Sequence, residues 1–441
     1  MQSSNQLRVA VHTVGCKLNQ AESETIAREF AARGYEVVGP RDDADIYVLN
    51  TCTVTAEADR KVRQWLRSAR RRNSSGLIVA AGCGVERDEA ALGELSDICV
   101  DNADKSRLVE LVVAHLESRG LSCAQGDALV VPDGASRTRT VLKVQEGCTT
   151  FCAYCIVPSV RPGEHSVLAE EVVDSVARRV AEGYREIVLT GTKIGVYRDG
   201  DTDLTGLLAR VLSVLGPARI RLSSLQPREL SRELLALWQD SRLCPHFHLS
   251  LQSGSDSVLR RMGRDYTLGE YDGALGQLRE AVPGCAITTD IIVGFPGETE
   301  QEFSDSYEYC GSAGFARIHV FPYSPRPGTR AAEMDGRLSG REMKERADAM
   351  GSLADDSLHK YAQSWLDRCV EALWEGHYRG SRHVWSGTTG NYLHVLCESS
   401  DRLHNVIESV TPVRIEGDRV WVRRSDEGSG GCEAELQGAR H

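Results

Sequence analysis

No apolar run in the 441 residues is long enough to span a bilayer, and the opening MQSSNQLRVAVHTVGC lacks the charged-then-apolar layout of a secretory leader. The chain therefore reads as cytosolic, with no membrane partner. In a reducing compartment its 14 cysteines are better explained as ligands or small buried residues than as disulfides. An excess of positive charge is missing too. Against 63 acidic residues stand 52 lysines and arginines, a net charge of −11, which excludes a generic nucleic-acid-coating protein but leaves local basic patches open. With 41% hydrophobic and 26% charged residues, nothing in the composition departs from a globular chain of two to four domains.

What the sequence does have is a pattern of cysteines. Gly147-Cys148-Thr149-Thr150-Phe151-Cys152-Ala153-Tyr154-Cys155 spaces three thiols as Cys-x3-Cys-x2-Cys, with an aromatic before the last. Three thiolates on one tight loop can hold three irons of a [4Fe-4S] cube and leave the fourth open to bind and reduce a ligand. A structural zinc site is the alternative reading. It would need a fourth ligand, yet the next cysteine, Cys244, is far along the chain and His165 follows a Pro-Gly turn.

A second set precedes it. Short apolar runs at 7–14, 45–49 and 76–81 each end a residue or two before a cysteine: Cys16, Cys52 and Cys83. Helix-like stretches at 21–33 and 56–72 lie between them, so intervals of 36 and 31 residues match βαβ units. Right-handed crossovers point successive parallel strands the same way, which puts their C-terminal ends along one sheet edge. One such cysteine would be a small buried residue at a turn; three at the same topological position point to a second iron–sulfur cluster. Cys99 and Cys123 lie outside this pattern and read as core or surface thiols. The stretch 60–72 carries seven basic residues after Glu57 and Asp59, which suits a solvated helix face aligned with its dipole, or an RNA contact.

After a linker over 127–138, marked by Pro132-Asp133-Gly134, strand-like runs recur at 141–145, 186–190, 219–224, 246–251, 286–293 and 317–321. Helical patterns occupy 168–182, 204–215, 229–239, 268–281 and 300–313. Six βα units predict a parallel, incompletely closed barrel with the three-cysteine loop at its C-terminal mouth. Gly191, Gln252 and Asp290 sit at other strand ends, and with Tyr154 they outline a cofactor pocket.

These segments resemble the methylthiotransferases, a branch of the radical S-adenosylmethionine enzymes. The resemblance rests on Thr13-Val14-Gly15-Cys16-Lys17-Leu18-Asn19-Gln20, Asn50-Thr51-Cys52-Thr53-Val54-Thr55, Ala80-Ala81-Gly82-Cys83, the loop 147–158, Ser250-Leu251-Gln252-Ser253-Gly254-Ser255, 289–299 and Phe321-Pro322-Tyr323-Ser324. After Pro158 the family shows an Arg-Gly pair and further arginines, where this chain reads Arg161-Pro162-Gly163-Glu164-His165. That departure leaves the six cysteines untouched.

The resemblance implies an α/β architecture in three parts: an N-terminal open parallel-sheet domain over 1–126, a partial (β/α)6 TIM-like barrel over 139–362 and a small all-β, TRAM-like RNA-binding barrel over 363–425. The tail 426–441 reads as disordered, and Cys432 within it as no ligand. The resemblance further implies a [4Fe-4S] cluster on Cys148, Cys152 and Cys155 that cleaves S-adenosylmethionine to a radical, and a second on Cys16, Cys52 and Cys83 that holds a sulfur. S-adenosylmethionine then serves as methyl donor and as radical source, and no further catalytic residue is nominated.

The flanks of Cys16 and Cys52 look most like the branch acting on carbon 2 of N6-threonylcarbamoyladenosine at position 37 of tRNA, in an anticodon loop whose bases splay readily. A flavodoxin- or ferredoxin-like electron donor is implied, and the sulfur donor is left open. The same chemistry on isopentenyladenosine or on a ribosomal-protein aspartate is the nearest alternative. Others are a radical enzyme using its second cluster only for electron transfer, and a non-catalytic iron–sulfur or zinc RNA-binding protein.

Overall fold

The computed structural model describes residues 6–120, 138–214 and 216–425, which fall into two compact units. One comprises the described part of Met1–Gly134 together with Glu146–Glu164 and Ser324–Ala332. The other comprises the described parts of Ala135–Gln145, His165–Tyr323 and Glu333–His441. Both cysteine sets thus belong to the first unit. Most of the expected linker, Cys123 and the tail with Cys432 lie outside the described residues.

In the first unit β1 (Arg8–Thr13), β2 (Glu36–Val38), β3 (Ile46–Thr51), β4 (Leu77–Gly82) and β5 (Ile98–Val100) form a parallel sheet in the order β2-β1-β3-β4-β5. β3 and β4 are buried at every residue, as parallel strands covered on both faces must be. Alternate residues serve opposite cores. Ile46 and Val48 pack with Ile26 and Phe30 of α1 (Lys17–Ala32) and with Leu108 and Val112 of α4 (Leu108–Ser118). Tyr47 and Leu49 pack with Trp65 and Leu66 of α2 (Ala56–Arg72) and with Val85 and Leu92 of α3 (Cys83–Gly93).

α2 has the bounds that its pattern predicts. The Thr55 side chain accepts the Ala58 N–H, Glu57 and Asp59 sit in the first turn, and Arg70, Arg71 and Arg72 close the last. The sequence reading gave no place to β2, β5, α3 or α4; the two strands are three residues each, too short to show a period.

In the second unit seven strand segments run parallel in two sheets, so the barrel sheet is broken rather than continuous. Arg139–Lys143, Glu186–Thr190 and Arg219–Leu222 form one sheet, and Ser224–Leu225, His246–Leu249, Ala286–Val293 and Arg317–Pro322 form another. The chain changes sheet at Ser223, so the third strand serves both. A long helix, Gly340–Gln363, with a Ser339–Glu342 capping box, leads into a closed five-stranded barrel of Val370–His377, Val384–Thr389, His394–Glu398, Arg419–Arg424 and Ile407–Glu416.

A buried charge cluster joins this small barrel to the parallel strands. Glu186, fully buried, accepts from Arg219 at 2.6 Å and Arg221 at 2.9 Å, and the same guanidiniums donate to the carbonyls of Thr388 and Thr389. Burial opposes ionisation of Glu186, but Arg221 and Arg219 outweigh it and hold its carboxyl well below the usual range. Cys369 is disulfide-bonded, where composition favoured ligands or small buried residues for the cysteines as a set.

Candidate functional site

Cys16, Cys52 and Cys83 follow β1, β3 and β4, three adjacent strands of one parallel sheet. Neighbouring strands lie about 4.8 Å apart, so topology alone brings the three turns within about 10 Å of one another. Cys16 is the N-cap of α1 and Cys83 the first residue of α3. Each follows a glycine that no other residue could replace easily. Gly15 has φ +130°, and a Cβ there would lie 2.7 Å from the Cys52 Cβ; Gly82 has φ +95°, with the Lys105 Nζ 2.8 Å from the same point. The glycines let two sheet-edge turns close onto the residues beside them.

The sulfurs differ in their surroundings. Cys16 is exposed and lies 3.6 Å from Asn19 Oδ1. Cys52 is buried and receives the Val54 N–H at 3.5 Å. Burial pushes its thiol up to about 12, a rise that the fields of Cys16, Cys83 and Asp59 reinforce against that N–H. Cys83 is buried and receives Asn102 Nδ2 at 3.6 Å and Arg161 Nε at 3.2 Å.

Beneath the turns lies a shared polar network. Glu22 takes Arg161 on both oxygens, at 2.7 and 2.9 Å, and Lys105 at 2.8 Å. Burial alone would lower the Arg161 pKa, but hydrogen bonding to Glu22 and the field of Cys83 raise it. A second cluster flanks Cys52: Asp59 binds Arg87 and Arg326, each at 2.6 Å, and Thr53 donates to Asp59 at 2.8 Å.

The Cys148–Cys155 loop is organised by its own backbone. The Thr150 N–H points to Cys148 Sγ at 3.3 Å, the Cys155 N–H returns to the Cys152 carbonyl at 3.0 Å, and Glu164 ties down Thr149 at 2.8 Å. Its three cysteines are all partly exposed, as thiols open to a bound group would be. Phe151 stands 77% exposed at the tip.

Among the described residues no group of three or more His, Cys, Asp or Glu side chains is drawn close enough to hold a single metal ion. A four-iron cube is wider than one ion, and the chemistry of both sets fits it. Each offers three thiols on adjoining turns, and at least one sulfur in each set receives a backbone N–H, the usual outer partner of such clusters.

The other expected residues divide between the units. Tyr154, partly buried, is in the first; Gly191, Gln252 and Asp290 are in the second. Gln252 and Asp290 are brought together, the Gln252 N–H donating to the Asp290 carbonyl at 2.8 Å, while His248 Nε2 lies 3.2 Å from Asp290 Oδ2. Gln252 has φ +75°, a strained conformation for a side-chain-bearing residue and of the kind found at ligand sites. A Cβ on Gly191 would lie 3.1 Å from the Gln145 carbonyl, and Gln145 Oε1 receives the Lys193 N–H at 2.9 Å.

Sequence reasoning missed Glu22, Lys105 and Asn102 altogether and read Asp59 only as a charge at a helix start. Glu22 had left a signal: Leu18, Glu22, Ile26 and Phe30 recur every fourth residue, so a carboxylate interrupts the buried stripe of α1. For Arg326, 267 residues from Asp59, no local pattern existed.

Residues 142–310 match the Radical SAM superfamily, and residues 8–101 match a family described as Uncharacterized protein family UPF0004. The radical S-adenosylmethionine methyltransferase TsrM from Kitasatospora setae, solved with cobalamin and a [4Fe-4S] cluster, shares the fold with a TM-score of 0.55 at 15% identity, over 74% of this chain and 77% of that one. The match over residues 142–310 makes this a radical S-adenosylmethionine enzyme, and the TsrM likeness shows the shared fold.

The threonylcarbamoyladenosine tRNA methylthiotransferase MtaB of Bacillus subtilis is 36% identical over 92% of this chain and 93% of its own length. The enzyme of the same name from Aquifex aeolicus is 38% identical over 83% and 92%. The tRNA-2-methylthio-N(6)-dimethylallyladenosine synthase of Desulfosudis oleivorans is 34% identical over 85% and 84%. The chain belongs to the methylthiotransferase family. No helix of the described residues is long and apolar enough to cross a membrane.

Proposed function

We propose that this methylthiotransferase adds a methylthio group to carbon 2 of N6-threonylcarbamoyladenosine at position 37 of tRNA. One observation carries the choice of base: relatives named for threonylcarbamoyladenosine span 32–38% identity and reach the higher values, against 32–34% for those named for dimethylallyladenosine. The flanks of Cys16 and Cys52 support the same branch.

In this reading the chain holds two [4Fe-4S] clusters, one on Cys148, Cys152 and Cys155 and one on Cys16, Cys52 and Cys83. When bound, they supply one-electron cleavage of S-adenosylmethionine and a site for the sulfur to be transferred. The protein's own part is positional. Asn19, Glu22 and Arg161 fix the turns of the second set, and the strained Gln252 with Asp290 offers polar groups for the cofactor.

The test is a reaction. The anaerobically reconstituted chain is given S-adenosylmethionine, reductant, sulfide and tRNA carrying either threonylcarbamoyladenosine or isopentenyladenosine, and its nucleosides are resolved by mass spectrometry. Methylthio product on the first tRNA is the expected result. Product on the second alone, or on neither tRNA while ribosomal protein is modified, overturns the assignment.

A further inference from the structure

Arg161 lies six residues after Cys155 and is 5% exposed, although arginines normally reach solvent. Its hydrogen bonds are all internal. Nε donates to Cys83 Sγ at 3.2 Å, Nη1 to Glu22 at 2.7 Å and Glu146 at 3.3 Å, and Nη2 to Glu22 at 2.9 Å and Asn19 at 3.3 Å. The backbone on either side is pinned as well. The Gly163 carbonyl lies so close to Gly147 that a Cβ there would come within 2.1 Å of it, so the chain closes a loop from just before Cys148 to just after Arg161.

The charges in this network are two cations, Arg161 and Lys105, against two carboxylates: Glu22, which is buried, and Glu146, which has 26% of its side chain exposed. Stability is a weak reason for such an arrangement, because desolvating ions costs about as much as pairing them returns. Arg161 has a further target: its Nε, on the edge of the guanidinium that is turned away from Glu22, points at a sulfur. Within the set, the Cys52 sulfur receives a backbone N–H and the Cys16 sulfur faces an amide oxygen, whereas Cys83 faces a guanidinium.

We propose that Arg161 is a positioning residue for the second cluster, holding the Cys83 sulfur as a ligand and raising the reduction potential of the group bound there. The proposal rests on the reading that Cys16, Cys52 and Cys83 carry that cluster. A charged hydrogen bond withdraws negative charge from a ligand sulfur, and reduction adds negative charge, so the reduced state gains more from the bond than the oxidised one. Because Arg161 is covalently continuous with the Cys148–Cys155 loop, the same side chain ties that loop to the second set.

The experiment uses the full chain with Cys148, Cys152 and Cys155 replaced by Ala, so that the second set alone is reconstituted. Arg161→Met and Arg161→Lys are compared with this parent for iron and sulfide content, rate of iron loss to a chelator and midpoint potential by EPR-monitored titration. Arg161→Met is expected to lose iron about tenfold faster or more, the usual cost of removing an outer partner, and to show a lower potential. Arg161→Lys, which keeps the charge opposite Glu22, should lie between the two.

A Met variant with parental potential and iron retention overturns the proposal. If the Met variant does not fold, as judged by circular dichroism, the Lys variant decides, and an unchanged potential in it overturns the proposal equally. A parent that binds no iron is a different result: it refutes the second cluster itself and removes the ground on which Arg161 was argued.

Discussion

The side-chain amide of Asn19 donates to the Thr51 carbonyl at 2.9 Å and to the Val14 carbonyl at 3.1 Å. One residue of α1 thereby ties the turn that carries Cys16 to the turn that carries Cys52, and it is 1% exposed where it does so. Asn19→Leu would leave two carbonyls without their donor in a buried site. The expected cost is ~1–3 kcal/mol in urea denaturation, accompanied by weaker iron retention on the second set. An unchanged denaturation midpoint would show that water replaces the amide without loss.

The two cysteine sets should be separable in function. Cys152→Ala is expected to abolish formation of 5′-deoxyadenosine from S-adenosylmethionine. Cys52→Ala is expected to abolish methylthio product and to lower iron content. Iron content and product both unchanged in a folded Cys52→Ala protein would refute the second cluster.

Glu186 lies between Arg219 and Arg221 and pairs with both. Glu186→Gln leaves two buried guanidiniums without their counter-ion, and removing one partner of a buried pair costs ~3–5 kcal/mol. Since Arg219 and Arg221 also hold the carbonyls of Thr388 and Thr389, the closed barrel should loosen first. Hydrogen exchange at Val384–Thr389 would report that loss; uniform exchange across the second unit would argue against it.

His394 gives the second unit a pH signature. Burial lowers its pKa to about 4, helped by Arg317, Arg419 and Arg139 and opposed by Asp418. The folded state disfavours the proton, so the unfolded chain binds more of it between the ordinary histidine value near 6.5 and about 4. The stabilisation is complete above that window and is lost as pH falls through it, by about 3 kcal/mol at most. In His394→Asn this part of the pH dependence should vanish, which denaturation at pH 7 and pH 4.5 would reveal.

The parallel strands and their helices were legible because their apolar runs are bounded by turn residues, and α2, Glu186–Thr190 and Ala286–Val293 have the limits that their patterns predict. The convergence of Cys16, Cys52 and Cys83 was legible as well, since parallel topology alone demands it. The network around them was not. Glu22 and Arg161 meet across 139 residues, and although the stripe of α1 marks Glu22 as buried, nothing local marks Arg161 as its partner. The break in the barrel sheet at Ser223 was equally hidden, because a strand that serves two sheets has the same apolar pattern as a strand that serves one.

The first unit is assembled from three stretches of chain, and this dictates an order of events during synthesis. When residue 120 leaves the ribosome the five-stranded sheet is complete in sequence, with Lys105 already opposite Glu22 and Arg87 opposite Asp59. Arg161 arrives later and Arg326 later still. Until residue 326 has emerged, Asp59 beside Cys52 holds Arg87 but lacks its second guanidinium partner. The ion pairs beside Cys52 are therefore completed by the finished chain rather than by the growing one.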